Sequence, residues 1–372
     1  MRIGFACAWD DPPERTWSYT PWNLFNAMKN KIEVVDFGPK IGRVQRLALK
    51  ALYTKRRNNR WVSTWNRSSL WDFVCTRYII NKLKEHDVAA VLEIGDLAQL
   101  PVPFYLYQDL SYDVLERYYD KSHGVPGFPG LSIEIIRKRR DRQRKIYEQA
   151  AGVFAMSAWF ASTLIKWTGL PPKKVHVVHA GINAAVEPKL VLQAKQRMGT
   201  RRGRLLFVGR DFWRKGGDLC VRALELLRRE YSHHVTLTIA GPPNWPMPGP
   251  VPEGISFLGQ VPIDQVGQLF EDHDLFVMPS RFEPFGIVFA EAIAHGLPCI
   301  GRNAFAMPEI ITPGHNGELL EDDNIYDLAE LIVKILENDK YYTAAQAESY
   351  RAAAYFSWNR VADDMIRVMA GP

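Results

Sequence analysis

The chain has 372 residues, 47% hydrophobic and 24% charged, values that suit a folded protein with room for two ordinary domains and exclude a disordered chain. Its 47 basic residues against 41 acidic ones leave a charge of +6 and a pI near 9.0, which favours anionic partners such as nucleotide phosphates or acidic lipid head groups without choosing among them. The four cysteines, Cys7, Cys75, Cys220 and Cys299, show no Cys-x-x-Cys spacing and the nine histidines are dispersed, so neither a metal site nor a disulfide framework is expected.

Residues 2–8 read as a first strand, residues 21–29 as a helix and residues 33–37 as a second strand. The N-terminal stretch is too short and too soon charged for a signal peptide, and no apolar run approaches the length of a membrane span, so a cytoplasmic location is expected. Residues 40–71 hold nine Lys or Arg and no acid, with Trp61, Trp65 and Trp71 among them. Ile41, Val44, Ala48 and Leu52 fall near helical spacing with Arg43, Arg46 and Lys50 between them. This pattern suits either a peripheral contact with an anionic membrane or a solvated helix followed by a long loop. Nucleic acid is not expected, since no DNA- or RNA-binding motif accompanies the charge.

Residues 89–94 and 104–107 read as further strands, the second leading to Asp109. There the carboxylate would meet a substrate or cap the next helix. Strands follow at 152–156 and 175–179, and the polar stretch 184–203 reads as an irregular connection to a second lobe. That lobe opens with a strand at 204–208 and the run Gly209-Arg210-Asp211-Phe212-Trp213-Arg214-Lys215-Gly216-Gly217. Two fixed cations after a strand can hold a pyrophosphate and neutralise charge on a leaving diphosphate. Arg210 and Lys215 are the expected pair, with Arg214 turned outward. Strands at 235–240, 255–258, 275–278 and 299–301 complete the pattern.

Residues 279–298 read Pro-Ser-Arg-Phe-Glu-Pro-Phe-Gly-Ile-Val-Phe-Ala-Glu-Ala-Ile-Ala-His-Gly-Leu-Pro. The loop carries Phe285 and Gly286, and the amides of Gly286, Ile287 and Val288 open a helix, where an anion is favoured. Taken singly, Glu283 and Glu291 fit ordinary surface acids. As a pair at the two ends of such a loop, they suit a ligand with sugar at one end, ribose at the other and phosphate between.

The 279–298 run resembles the Glu-x7-Glu signature of retaining glycosyltransferases of the GT-B fold, family 4 in particular. The Gly-Arg-x4-Lys-Gly run about 70 residues earlier resembles the same family in order and spacing. The resemblance implies an α/β chain of two Rossmann-like domains facing a cleft, with an acceptor domain at 1–185, a donor domain at 186–355 and a helix at 356–372 returning to the first domain. It implies a hexosyltransferase-like enzyme with a nucleotide-diphosphate sugar as co-substrate, no other cofactor, no metal, and a glycan or lipid-linked acceptor. Front-face attack assisted by the donor phosphate is the mechanism it implies. Arg210 and Lys215 would hold the diphosphate, Glu283 the sugar hydroxyls and Glu291 the ribose, with Asp109 on the acceptor side. Where relatives carry a Gly-rich loop after the first strand, this chain has Thr16-Trp17-Ser18-Tyr19-Thr20, a departure at the acceptor side. A nucleotide-sugar epimerase of the same architecture or a non-catalytic sugar-nucleotide-binding protein are the alternatives.

Overall fold

The computed structural model describes residues 1–57, 60–197, 202–230 and 235–371. The chain divides into two compact units, Met1–Ala180 with Trp358–Pro372, and Gly181–Ser357.

In the first unit the strands are β1 (Arg2–Ala6), β2 (Glu33–Asp36), β3 (Thr54–Arg57), β4 (Arg60–Ser63), β5 (Ala90–Ile94), β6 (Phe104–Gln108), β7 (Gly152–Ala155) and β8 (Val175–Val177). Six of them form a parallel sheet in the order β2-β1-β5-β6-β7-β8. The central β5 is buried at every residue, Glu93 included, as suits an inner strand of a parallel sheet. Serine side chains set the helix starts: Ser68, Ser111 and Ser157 each accept a hydrogen bond from the amide three residues on. Phe37, Val91, Phe104, Leu106, Tyr147 and Phe160 share the core. The C-terminal helix Trp358–Ala370 belongs to this unit, where Arg360 donates to the Val178 carbonyl at 2.8 Å and Asp363 pairs with Lys31 at 2.8 Å.

Residues 43–71 differ from the expected helix and loop. Helix Arg43–Leu52 forms, but β3 and β4 then pair as an antiparallel hairpin. Trp65 and Trp71 turn inward, their rings 4.9 Å apart, and Trp71 packs with Leu49 and Cys75. Trp61 stays exposed.

The second unit holds β9 (Arg204–Val208), β10 (Thr236–Ala240), β11 (Ile255–Gly259), β12 (Leu275–Val277), β13 (Cys299–Arg302) and β14 (Gly317–Leu320), in the parallel order β11-β10-β9-β12-β13-β14. The order reverses between β9 and β12, and ligands in open α/β sheets bind beyond the carboxyl ends of strands at such a point. In the stretch 184–203, expected to be irregular, Pro188–Arg197 is a helix, while residues 198–201 lie outside the described residues. All four cysteines are buried free thiols. No helix among the described residues is long and apolar enough to cross a membrane.

Candidate functional site

The loops leaving β9 and β12 meet at that reversal. After β9 the chain closes a tight turn in which the Lys215 amide donates to the Asp211 carbonyl at 2.9 Å and the Gly217 amide to the Phe212 carbonyl at 2.9 Å. The turn folds Lys215 back across Gly209, where an added Cβ would lie 2.4 Å from Lys215 Cδ. Gly216, at φ +75°, passes the Pro279 carbonyl so closely that a Cβ would lie 2.6 Å from its oxygen. The Arg281 amide donates to the Arg214 carbonyl at 2.8 Å, joining the two loops.

Glu283 is the point on which they converge. Lys215 Nζ lies 2.8 Å and Arg214 Nη1 3.3 Å from the same oxygen, Glu283 Oε2. Arg214 therefore faces the site, against the expectation that it turns outward. The turn presents consecutive side chains to one carboxylate, and Asp211 Oδ2 at 3.0 Å and the Phe282 carbonyl hold the guanidinium there. Burial alone would raise the Glu283 carboxyl; the Lys215 and Arg214 cations outweigh it and hold it below the usual carboxylate range. Arg210 is exposed at the start of the turn and is not part of this cluster.

Behind the loops lies an ionic network that sequence reasoning missed. Arg281 reaches Asp218 at 2.7 Å and Asp323 at 2.6 Å, and Arg302 bonds both Asp323 and the Pro279 carbonyl. Asp218 and Asp323 stand 105 residues apart in the chain, so no local spacing signals it.

Gly286, at φ +80°, caps helix Ile287–Ala294, and a Cβ there would lie 2.8 Å from the Phe289 ring. The amides of Ile287 and Val288 thus open the helix beside Glu283, with partial positive charge suited to an anion. Phe285 is buried, its ring 6.4 Å from that of Phe356. One turn inside the helix, Glu291 is buried and its Oε1 accepts the Asn183 and Ala184 amides at 2.8 and 3.0 Å. Burial pushes its carboxyl up, against the pull of those two amides. One oxygen of Glu291 thus serves the backbone.

Asp109 belongs to the first unit, just past β6. Burial, then the Asp109 charge, pushes the neighbouring Tyr107 hydroxyl well up, and that hydroxyl donates to the His179 carbonyl at 2.8 Å. In the loop after β1, Trp17, Ser18 and Tyr19 all adopt positive φ, 41°, 54° and 70°. This is the backbone that glycines adopt at least cost, held here by larger residues. Among the described residues no group of three or more His, Cys, Asp or Glu is placed to hold a metal ion.

Residues 192–352 match the family described as Glycosyl transferases group 1. D-inositol 3-phosphate glycosyltransferase 1 of Catenulispora acidiphila is 28% identical over 232 residues, 58% of this chain and 56% of that protein. The chain thus spans about half the length of the curated relatives it matches. Sucrose-phosphate synthase of Thermosynechococcus elongatus superposes with a TM-score of 0.72 at 17% identity, over 100% of this chain and 98% of that one. The Anabaena protein Alr3699/HepE, solved in complex with UDP-glucose, superposes with a TM-score of 0.65 at 16% identity, over 100% of both chains. These likenesses establish the fold, two Rossmann-like units of the GT-B type.

Proposed function

We propose that this chain, with its group 1 glycosyltransferase segment at 192–352, is a retaining, family 4-like glycosyltransferase. It moves a sugar from a nucleotide-diphosphate sugar to a glycan or lipid-linked acceptor without a metal ion. One observation carries the reading: Lys215 and Arg214 converge on Glu283 beside a helix N-terminus, at the reversal of strand order and inside the matched segment. The UDP-glucose complex of the Anabaena neighbour supports a nucleotide sugar as donor.

In this reading the diphosphate lies across the Gly286, Ile287 and Val288 amides, with Arg210 and Lys215 neutralising its charge. Lys215 exchanges its Glu283 partner for phosphate oxygen. Glu283, still held by Arg214, accepts hydrogen bonds from sugar hydroxyls. Phe285 walls the site, and Glu291 offers the ribose the oxygen that the Asn183 and Ala184 amides leave. As the anomeric carbon to phosphate bond breaks, the acceptor oxygen bonds to that carbon from the same face, and its proton passes to the departing diphosphate oxygen. Asp109 takes the acceptor side. A lipid-linked acceptor would bring the enzyme to an anionic membrane.

Incubation with a panel of nucleotide sugars tests the reading. Slow release of free nucleoside diphosphate is expected. An epimerised sugar nucleotide would make the protein an epimerase instead, and no conversion at all would leave a binding protein.

A further inference from the structure

We propose that helix Arg43–Leu52 and the β3–β4 hairpin form a face that docks the protein on an acidic phospholipid surface. The proposal stands apart from the transferase reading, because it concerns binding and not turnover.

An amphipathic surface helix normally turns its apolar stripe to the core. This one turns it outward. Val44 is 79% exposed, Leu47 59% and Leu52 67%, while Leu49 alone is buried, against Trp71 and Cys75. At the helical repeat, Leu47, Ala51, Val44, Ala48 and Leu52 follow one another around an arc of about 140°. Arg43 and Lys50 flank that arc on one side, both exposed.

The hairpin continues the face. It is tied to the helix by Thr54 Oγ1, which donates to the Lys50 carbonyl, and by the Thr64 amide, which donates to the Tyr53 carbonyl at 3.2 Å. Val62 packs inward on Gly130, so close that a Cβ on that glycine would lie 2.3 Å from Val62 Cγ1. Strand alternation then sends Trp61 outward, and it is 74% exposed, opposite Arg56 in the register. Beneath the hairpin, Lys55, Arg67 and Lys138 line a cavity of about 270 Å³ and extend the positive charge.

The charge selects the occupant. Residues 40–71 hold nine cations and no acid. A second copy meeting this face across a two-fold axis would set one copy of the patch holding Arg43, Lys50 and Arg56 against another of the same sign, a like-charge contact that opposes association. An acidic bilayer satisfies both features at once, with the stripe and Trp61 at the boundary of head groups and acyl chains and the cations on the head groups.

Co-sedimentation with phosphatidylglycerol and phosphatidylcholine vesicles tests this, with phosphatidylcholine vesicles as the comparison. Partition onto acidic vesicles at low salt should exceed that onto neutral ones by on the order of tenfold or more, and high salt should weaken it. Leu47→Gln with Leu52→Gln, Trp61→Ser, and Arg43→Glu with Lys50→Glu should each lower it several-fold. Those side chains are exposed, so the variants should keep the wild-type circular dichroism. Protein that stays in the supernatant with acidic vesicles overturns the proposal, as does equal binding to neutral vesicles or wild-type binding by the folded variants. Self-association that the leucine variant abolishes, without vesicle binding, would assign the face to a second copy.

Discussion

Replacing Lys215 with alanine isolates the charge that the proposed mechanism needs most. Its ammonium is 2.8 Å from Glu283, and the two side chains are only 15% and 14% exposed, so its field is weakly screened by water. Two unit charges about 4 Å apart interact by about 4 kcal/mol at an effective dielectric near 20. Part of that already acts on the bound donor, and only the part that grows as the diphosphate departs lowers the barrier. Loss of one such preorganised group costs about 3 kcal/mol, on the order of 100-fold in turnover. The fold should lose less. Glu283 keeps Arg214 at 3.3 Å, so the variant does not strand a buried carboxylate, and the loss should fall below the roughly 3 to 5 kcal/mol of a fully broken buried pair. The assay is release of nucleoside diphosphate under saturating donor, with thermal unfolding alongside. Turnover within about threefold of wild type in a folded Lys215→Ala protein would refute the assignment.

Glu291→Gln should weaken binding of the bare nucleoside diphosphate about tenfold, while its amide oxygen still serves Asn183 and Ala184. Glu283→Gln should leave that affinity intact or raise it, because Lys215 is released, and should impair only the intact sugar donor. Equal loss in both by calorimetry would mean the roles are misassigned. Gly209→Ala should displace Lys215 from its track, lowering turnover with little change in thermal stability, and unchanged turnover would show that the track is immaterial. Glu93 is fully buried, and burial raises its carboxyl to about 8 against the pull of the Ala98 and Leu97 amides. The native state therefore keeps a proton that the unfolded chain releases near pH 4.5, so stability falls as pH rises from there to about 8 and levels off above, by at most about 1.4 kcal/mol per pH unit. Glu93→Gln should flatten that slope in denaturant titrations between pH 5 and pH 9, and an unchanged slope would remove Glu93 as its source.

What was legible in the sequence was local. Residues 204–208 form a strand where the Leu-Leu-Phe-Val run stands before Gly209, and helix Ile287–Ala294 begins after Gly286, where the sequence placed a helix N-terminus. The β3–β4 hairpin was not legible, because Val62 is the side chain that packs it on Gly130 and the charged strand Thr-Lys-Arg-Arg shows no apolar alternation. Helix Pro188–Arg197 was hidden by a polar sequence with little apolar pattern. At the site, spacing brought forward Lys215 and Glu283 but could not show where Arg214 points, since that depends on a backbone turn. Nor could it show that Glu291 holds amides from residues 183 and 184, a contact between distant parts of the chain.

The two cations on Glu283 differ in how they are fixed, and that difference divides their work. Arg214 is also bonded to Asp211 and the Phe282 carbonyl, whereas among the described residues Lys215 has, besides Glu283, only the Met278 sulfur at 3.7 Å. A phosphate entering beside the Ile287 and Val288 amides therefore competes more easily for the lysine. The backbone on either side is held by Arg281 and Arg302 through Asp218, Asp323 and the Pro279 carbonyl, so the exchange needs a side-chain movement and not a loop rearrangement. Arg214 left in place keeps Glu283 ionised. An ionised Glu283 can only accept hydrogen bonds, which suits the holding of sugar hydroxyls and argues against its serving as the acid that protonates the leaving group.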